Sequence, residues 1–208
     1  MAVGVLLYLR HEGFRSGLAG VAQLKEQSGF AFAFVSYAFA GGLLPEVMKI
    51  LCFQRCRAHG KNLRDFLVAA PFFGVFGMMV DALYRLQGMW FGDGSDILTI
   101  LKKIAVDQFA FSPLLGTPLT LIYFGWAAGG FSMKALRSHA TMPGLAVRVF
   151  GVQCAGWMVW IPGVAIIYAL PPLLQLPLAV TISAFWVLIL TTLRLRQEAA
   201  LDAAGNVL

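Results

Sequence analysis

Apolar residues gather along this chain into blocks of about twenty, separated by short stretches where charge, glycine and proline collect. A helix needs roughly 20 mainly apolar residues to cross the hydrocarbon core of a bilayer. The blocks predict spans over Gly29 to about Lys49, about Asp65 to Tyr84, from after Lys102-Lys103 to near Gly129-Gly130, about Leu145 to Tyr168, and about Leu173 to Leu193. Pro45-Glu46 interrupts the far end of the first block. Gly92-Asp93-Gly94-Ser95-Asp96 is turn chemistry between the second and third. Pro171-Pro172 breaks the fourth from the fifth, and Arg194 and Arg196 stop the last. The expectation is an all-α, multi-pass transmembrane helix bundle of about five spans. Four is the alternative, if the last two segments form a re-entrant hairpin or the first lies flat. Residues 10–27 alternate basic, small and apolar (Arg10, Phe14, Arg15, Leu18, Val21, Leu24, Lys25), which fits a helix lying on the membrane surface. The chain thus divides into an amphipathic segment over 1–28, a helix bundle over 29–193 and a polar tail over 194–208. The apolar run Val3 to Leu9 precedes Arg10, the reverse of the order in a secretory leader.

Composition agrees: 59% of the 208 residues are hydrophobic and 12% charged, where a soluble domain is nearer half apolar and a quarter charged. The net charge of +6 changes the picture in one respect. In a soluble domain it would point to nucleic acid. Here the basic residues lie between apolar blocks, where they set topology and meet anionic headgroups. The expected partner is therefore the lipid bilayer, and nucleic acid is not expected. Arg10, Arg15, Lys25, Arg85, Lys102 and Lys103 fall on one side of a five-span layout. The other side holds Lys49, Arg55, Arg57, Lys61, Arg64, Lys134, Arg137, Arg148, Arg194 and Arg196. The positive-inside rule places the richer side in the cytoplasm or its equivalent.

In the second block Ala70, Gly74, Gly77, Asp81 and Tyr84 recur at helical spacing and share an arc of roughly 80°. Small residues let helices approach closely in lipid, so this stripe reads as the protein-facing side, with Phe72, Phe73, Phe76, Met78 and Met79 toward lipid. Asp81 adds a second reading, because a carboxylate at membrane depth faces a partner or water. It lies about one turn from the expected end of the block, where snorkelling also suffices. The third block opens with Lys102-Lys103 and Asp107-Gln108 and contains Pro113 and Pro118, which kink a helix. Asp107, Ala110, Pro113, Thr117 and Ala128 fall on one broad side, and Gly125 and Gly129 add a small pair. Lys103 and Asp107 read either as an i,i+4 pair at the interface or as the charged mouth of a polar passage. Trp157 lies mid-span and is expected to pack within the bundle.

Cys52, Cys56 and Cys154 lack the spacing of a disulfide framework. Cys52 and Cys56, with His59 following, are a weak metal candidate with no fourth ligand nearby, and read better as apolar filler. There is no P-loop, zinc-protease helix or dinucleotide fingerprint. No catalytic residue, metal or cofactor is expected, and the chain does not read as an enzyme.

From the second block onward the residues resemble the Mpv/PMP family, small multi-pass proteins that include a peroxisomal membrane protein of about twenty-two kilodaltons and its mitochondrial inner-membrane relatives. Lys102-Lys103, Asp107-Gln108 and Pro113 look like that family's Lys-Lys-x-x-x-Asp-Gln run with a proline five residues on. Gly77 and Tyr84 match its Gly-Pro-x-x-His-x-Trp-Tyr motif at the ends, with Met78, Asp81 and Leu83 at the intervening motif positions. Trp157, Trp160, Tyr168, Pro172 and Trp186 fall at the spacing of its C-terminal signature. Val164 and Ile167 stand at the signature's Gln and Asn positions, so that polar face is mostly missing. The resemblance covers about residues 74–193. It implies a bacterial inner membrane, or a mitochondrial inner or peroxisomal membrane, and links the chain to passage of small solutes and to membrane or metabolite homeostasis.

The functional expectation is a channel permeable to small solutes or ions, lined by Gly74, Gly77, Asp81, Tyr84, Asp107, Gln108 and Thr117, with Lys102-Lys103 at its mouth. The alternative is a non-conducting scaffold or assembly protein, whose small-residue stripe packs helices or forms a homo-oligomer face.

Overall fold

The computed structural model describes residues 20–21, 23–141 and 144–205, with side chains up to residue 192. Apart from short connections these residues are helical, with no strand among them. Residues 23–28 are helical and lead into α1, Phe30–Phe53. Helix α2 is Gly60–Phe91. Helix α3 begins as Ile97–Val106, widens into a π-helical stretch Asp107–Gly116 and resumes as Thr117–Ala128. The short α4, Met133–Ala140, is followed by α5, Gly144–Tyr168, and α6, Pro172–Gly205.

Four helices are long and apolar enough to cross a membrane: α1, α2, α5 and the Pro172–Thr192 part of α6. The chain is a multi-pass membrane protein. The third expected span forms a helix but is not among these four, because Asp107, Gln108, two prolines and two threonines dilute its apolar content. Boundaries shift as well. α2 continues to Phe91, so Asp81 lies well inside its helix rather than near its end. α6 runs past Arg194 and Arg196 to Gly205, so the expected polar tail extends a helix. The expected surface helix over residues 10–27 lies largely outside the described residues, and Lys25 within it is buried.

Proline chemistry explains the irregular helices. Pro45 has no N–H to donate to Gly41 and crowds that carbonyl, and the turn before it, Phe39–Leu43, is π-helical. Pro113 lies within the π-helical stretch of α3. Helix ends follow local rules. Asp96 caps α3 by accepting the Thr99 N–H at 3.0 Å, and hydrogen bonds from the Thr99 side chain and backbone hold its carboxyl below the usual value. Pro172 opens α6, where a missing N–H costs nothing.

The chain forms two compact units, one comprising the chain up to Asp81 and from Leu176 onward, the other Ala82–Gln175. In the first, α1 and α2 meet through glycines. A Cβ at Gly42 would lie 2.7 Å from the Ala70 Cα, and one at Gly77 would lie 2.6 Å from both the Ala33 carbonyl oxygen and the Tyr37 Cβ. Phe73 packs over Gly41, so it faces α1 rather than lipid as expected. In the second unit, α3 runs antiparallel along α5. Asp107 meets Tyr168, Gln108 meets Trp157, and Ser112 and Thr117 meet Gln153.

Candidate functional site

Each unit holds its own buried polar cluster. In the first unit Asp81 is fully buried, and its carboxylate lies 3.4 Å from the Lys25 ammonium. In the same unit Glu46 is buried on α1, about two turns before its end. It accepts from Lys49 Nζ at 2.6 Å and from Asn62 Nδ2 at 2.9 Å, and Lys49 lies 3.6 Å from Asp65. Gly74 and Gly77 are filled from outside, by the Phe34 ring and by Ala33 and Tyr37. The small-residue stripe is a packing seam in which Asp81 carries an ion pair.

The second unit gathers Tyr84, Gln87, Lys103, Asp107, Gln108 and Tyr168. Tyr168 donates its hydroxyl proton to Asp107 Oδ2 at 2.5 Å, and Gln108 Nε2 donates to Asp107 Oδ1 at 2.9 Å. The Tyr84 and Tyr168 rings meet edge-on with centroids 5.4 Å apart. Lys103 is 1% exposed and lies over the Tyr168 ring, 5.9 Å from its centroid. Its nearest carboxylate is not Asp107 but Asp93, at 3.9 Å, in the exposed loop after α2. The expected i,i+4 pair between Lys103 and Asp107 is therefore replaced by two separate partners. Gln87 is fully buried within reach of the Tyr168 hydroxyl, yet its amide makes no hydrogen bond of good geometry. The Gln108 side-chain oxygen is also unpaired.

Further along α5, Gln153 Oε1 accepts from Thr117 at 3.0 Å and from Ser112 at 3.2 Å. Trp157 packs within the unit as expected, donating its indole N–H to the Gln108 carbonyl at 3.1 Å with its ring on Phe109. Gln153, Val164 and Ile167 are all buried on α5. Gln153 and Val164 lie about three turns apart on one face. Lys102 is exposed, unlike its neighbour. Trp160 and Trp186 are half-buried, and Pro172 serves as a helix start. His59 sits 3.3 Å from Gln54 Oε1, and Cys52 and Cys56 are exposed at and just past the end of α1.

Of the expected lining residues, Tyr84, Lys103, Asp107, Gln108 and Thr117 share the second unit, whereas Gly74, Gly77 and Asp81 belong to the first. Sequence reasoning missed Gln87, Gln153, Lys25 and Glu46. Gln87 continues the 70-74-77-81-84 spacing by one more step of three, which was the available signal. Compared with known proteins, the chain matches no family model, no curated protein and no solved structure.

Proposed function

We propose that this protein passes small solutes or ions across its membrane through the polar cluster of Gln87, Lys103, Asp107, Gln108 and Tyr168. The observation that carries this reading is the Gln87 amide, fully buried beside the Tyr168–Asp107 pair without a hydrogen bond of good geometry. A buried polar group without a partner costs on the order of 1–3 kcal/mol. Such groups in a membrane bundle mark places where water or a solute completes the bonding. The resemblance to the Mpv/PMP family supports the same reading.

The test is the reversal potential across a planar bilayer under a salt gradient. Asp107→Asn removes a buried negative charge at nearly constant volume and should move selectivity toward anions. Lys103→Gln should move it toward cations. Lys102→Gln, at an exposed position, should leave it close to wild type. Identical reversal potentials for wild type, Asp107→Asn and Lys103→Gln would remove this cluster from any passage.

A second reading, a non-conducting scaffold, is favoured by the seam in the first unit, where Gly74, Gly77 and Asp81 are all occupied by contacts within the chain. Absence of conductance from folded wild-type protein would make it the better reading.

The passage reading also requires α3 to cross the bilayer. Its polar residues are bonded to α5 along much of that helix's length, so a spanning α5 carries it across. Single cysteines at Ser95 and Ser138, in a background with Cys52, Cys56 and Cys154 changed to serine, should label from opposite sides of sealed vesicles. One at Gly60 should label with Ser138. Labelling of Ser95 and Ser138 from the same side would leave α3 uncrossed.

A further inference from the structure

Helix α4 is held in place by Gly125 of α3 and Gly129 just past its end. A Cβ at Gly125 would collide with the His139 ring, and one at Gly129 with the Ala135 Cβ. The Gly125/Gly129 pair therefore seats this short helix. Ser132 caps its start by accepting the Ala135 N–H at 3.2 Å. Arg148 closes its end, donating from Nη2 to the His139 carbonyl at 3.0 Å.

This seating sorts the side chains of α4. Ala135, Leu136 and His139 turn inward, and Lys134, Arg137 and Ser138 are exposed on the other face. Lys134 and Arg137 pair with no carboxylate among the described residues. No acidic residue occurs in the sequence between Asp107 and Glu198, so this end of the second unit is basic without local compensation. Helix α4 leads directly into α5, a membrane-crossing helix whose first two turns expose Val147 and Phe150. The basic face thus stands at the edge of the hydrocarbon layer, with Phe131 and Met133 exposed beside it.

We propose that α4 is a docking platform for the headgroup phosphate of anionic phospholipids, which Lys134 and Arg137 engage while Phe131 and Met133 rest against the acyl chains. The occupant follows from charge and position. An unpaired ammonium and guanidinium beside a lipid-exposed helix start meet a phosphate at that depth, and a zwitterionic headgroup neutralises its own. Because the helix is already seated, little ordering opposes binding.

The full-length protein, delipidated in a neutral detergent, is titrated with phosphatidylglycerol, with phosphatidylcholine of the same chains, and with inorganic phosphate. The readouts are the melting midpoint and the lipid retained in native mass spectrometry. Phosphatidylglycerol should raise the wild-type midpoint saturably and remain bound, and the other two should not. Lys134→Gln with Arg137→Gln should melt like wild type without lipid and lose that increment. Lys134→Arg with Arg137→Lys should keep it. Equal responses to the two lipids, an equal response to free phosphate, or an undiminished increment in the glutamine variant would each overturn the proposal.

Discussion

Lys25→Met should lower the melting midpoint of the detergent-solubilised protein by on the order of 10 °C, and the double variant Lys25→Met, Asp81→Leu should recover most of that loss. The lysine and aspartate form a buried pair 3.4 Å apart, with Asp81 fully buried. Removing one partner strands a charge in a medium that solvates it poorly, a cost of about 3–5 kcal/mol. For a chain of this size each kcal/mol corresponds to roughly 2–4 °C. Removing both charges together deletes the desolvation cost along with the attraction, which is close to neutral when the volume is filled. The comparison is a double-mutant cycle, and a large coupling energy is the expected result. A loss no greater than that of Lys61→Met, at an exposed position, would mean that the pair is not what holds residues 23–28 to α2. A double variant as unstable as the single would point to lost packing rather than a stranded charge.

Lys25 separates what is local in the sequence from what is not. The apolar blocks, the turn at 92–96 and the Pro171-Pro172 break are local signals of lipid burial and backbone chemistry; the blocks place the helices, and the turn and the diproline break mark boundaries to within a residue or two. The partner of a buried charge is a long-range fact. Asp81 stood out because a carboxylate is anomalous inside an apolar block. Lys25 sat among alternating basic and apolar residues, where a solvated face is the ordinary expectation. Lys103 is the same case, buried beside exposed Lys102 although the two are adjacent in sequence. Glu46 was read only as part of an interruption beside Pro45, because its partner Asn62 lies across a loop on the next helix. Trp157 and Asp107 are anomalies legible in the sequence, an indole at mid-span and a carboxylate at the entrance of a proline-kinked helix, and both are bonded within the second unit.

The glycine seam yields a graded prediction, because its four members differ in what they touch. A side chain at Gly77 meets the Ala33 carbonyl oxygen and the Tyr37 Cβ, and one at Gly42 meets the Ala70 backbone. Those atoms cannot swing aside without moving a helix. Side chains at Gly74 and Gly41 meet the Phe34 and Phe73 rings, which can change rotamer. Two effects compete in a glycine-to-alanine change. Alanine favours the helix by about 1 kcal/mol, and overpacking costs about 1–3 kcal/mol. Where the obstacle is backbone, the second should win; where it is a ring, the two should nearly cancel. Gly77→Ala should therefore destabilise the protein by several degrees, Gly77→Leu by more, and Gly74→Ala should leave the midpoint close to wild type. Val75→Leu, at an exposed position on the same helix, serves as the neutral reference. The measurement is the melting midpoint of each variant in one detergent. Equal losses for Gly74→Ala and Gly77→Ala would mean that the α1–α2 seam yields uniformly, and no loss at Gly77→Leu would mean that the close approach of α2 to Ala33 and Tyr37 is not part of the folded protein.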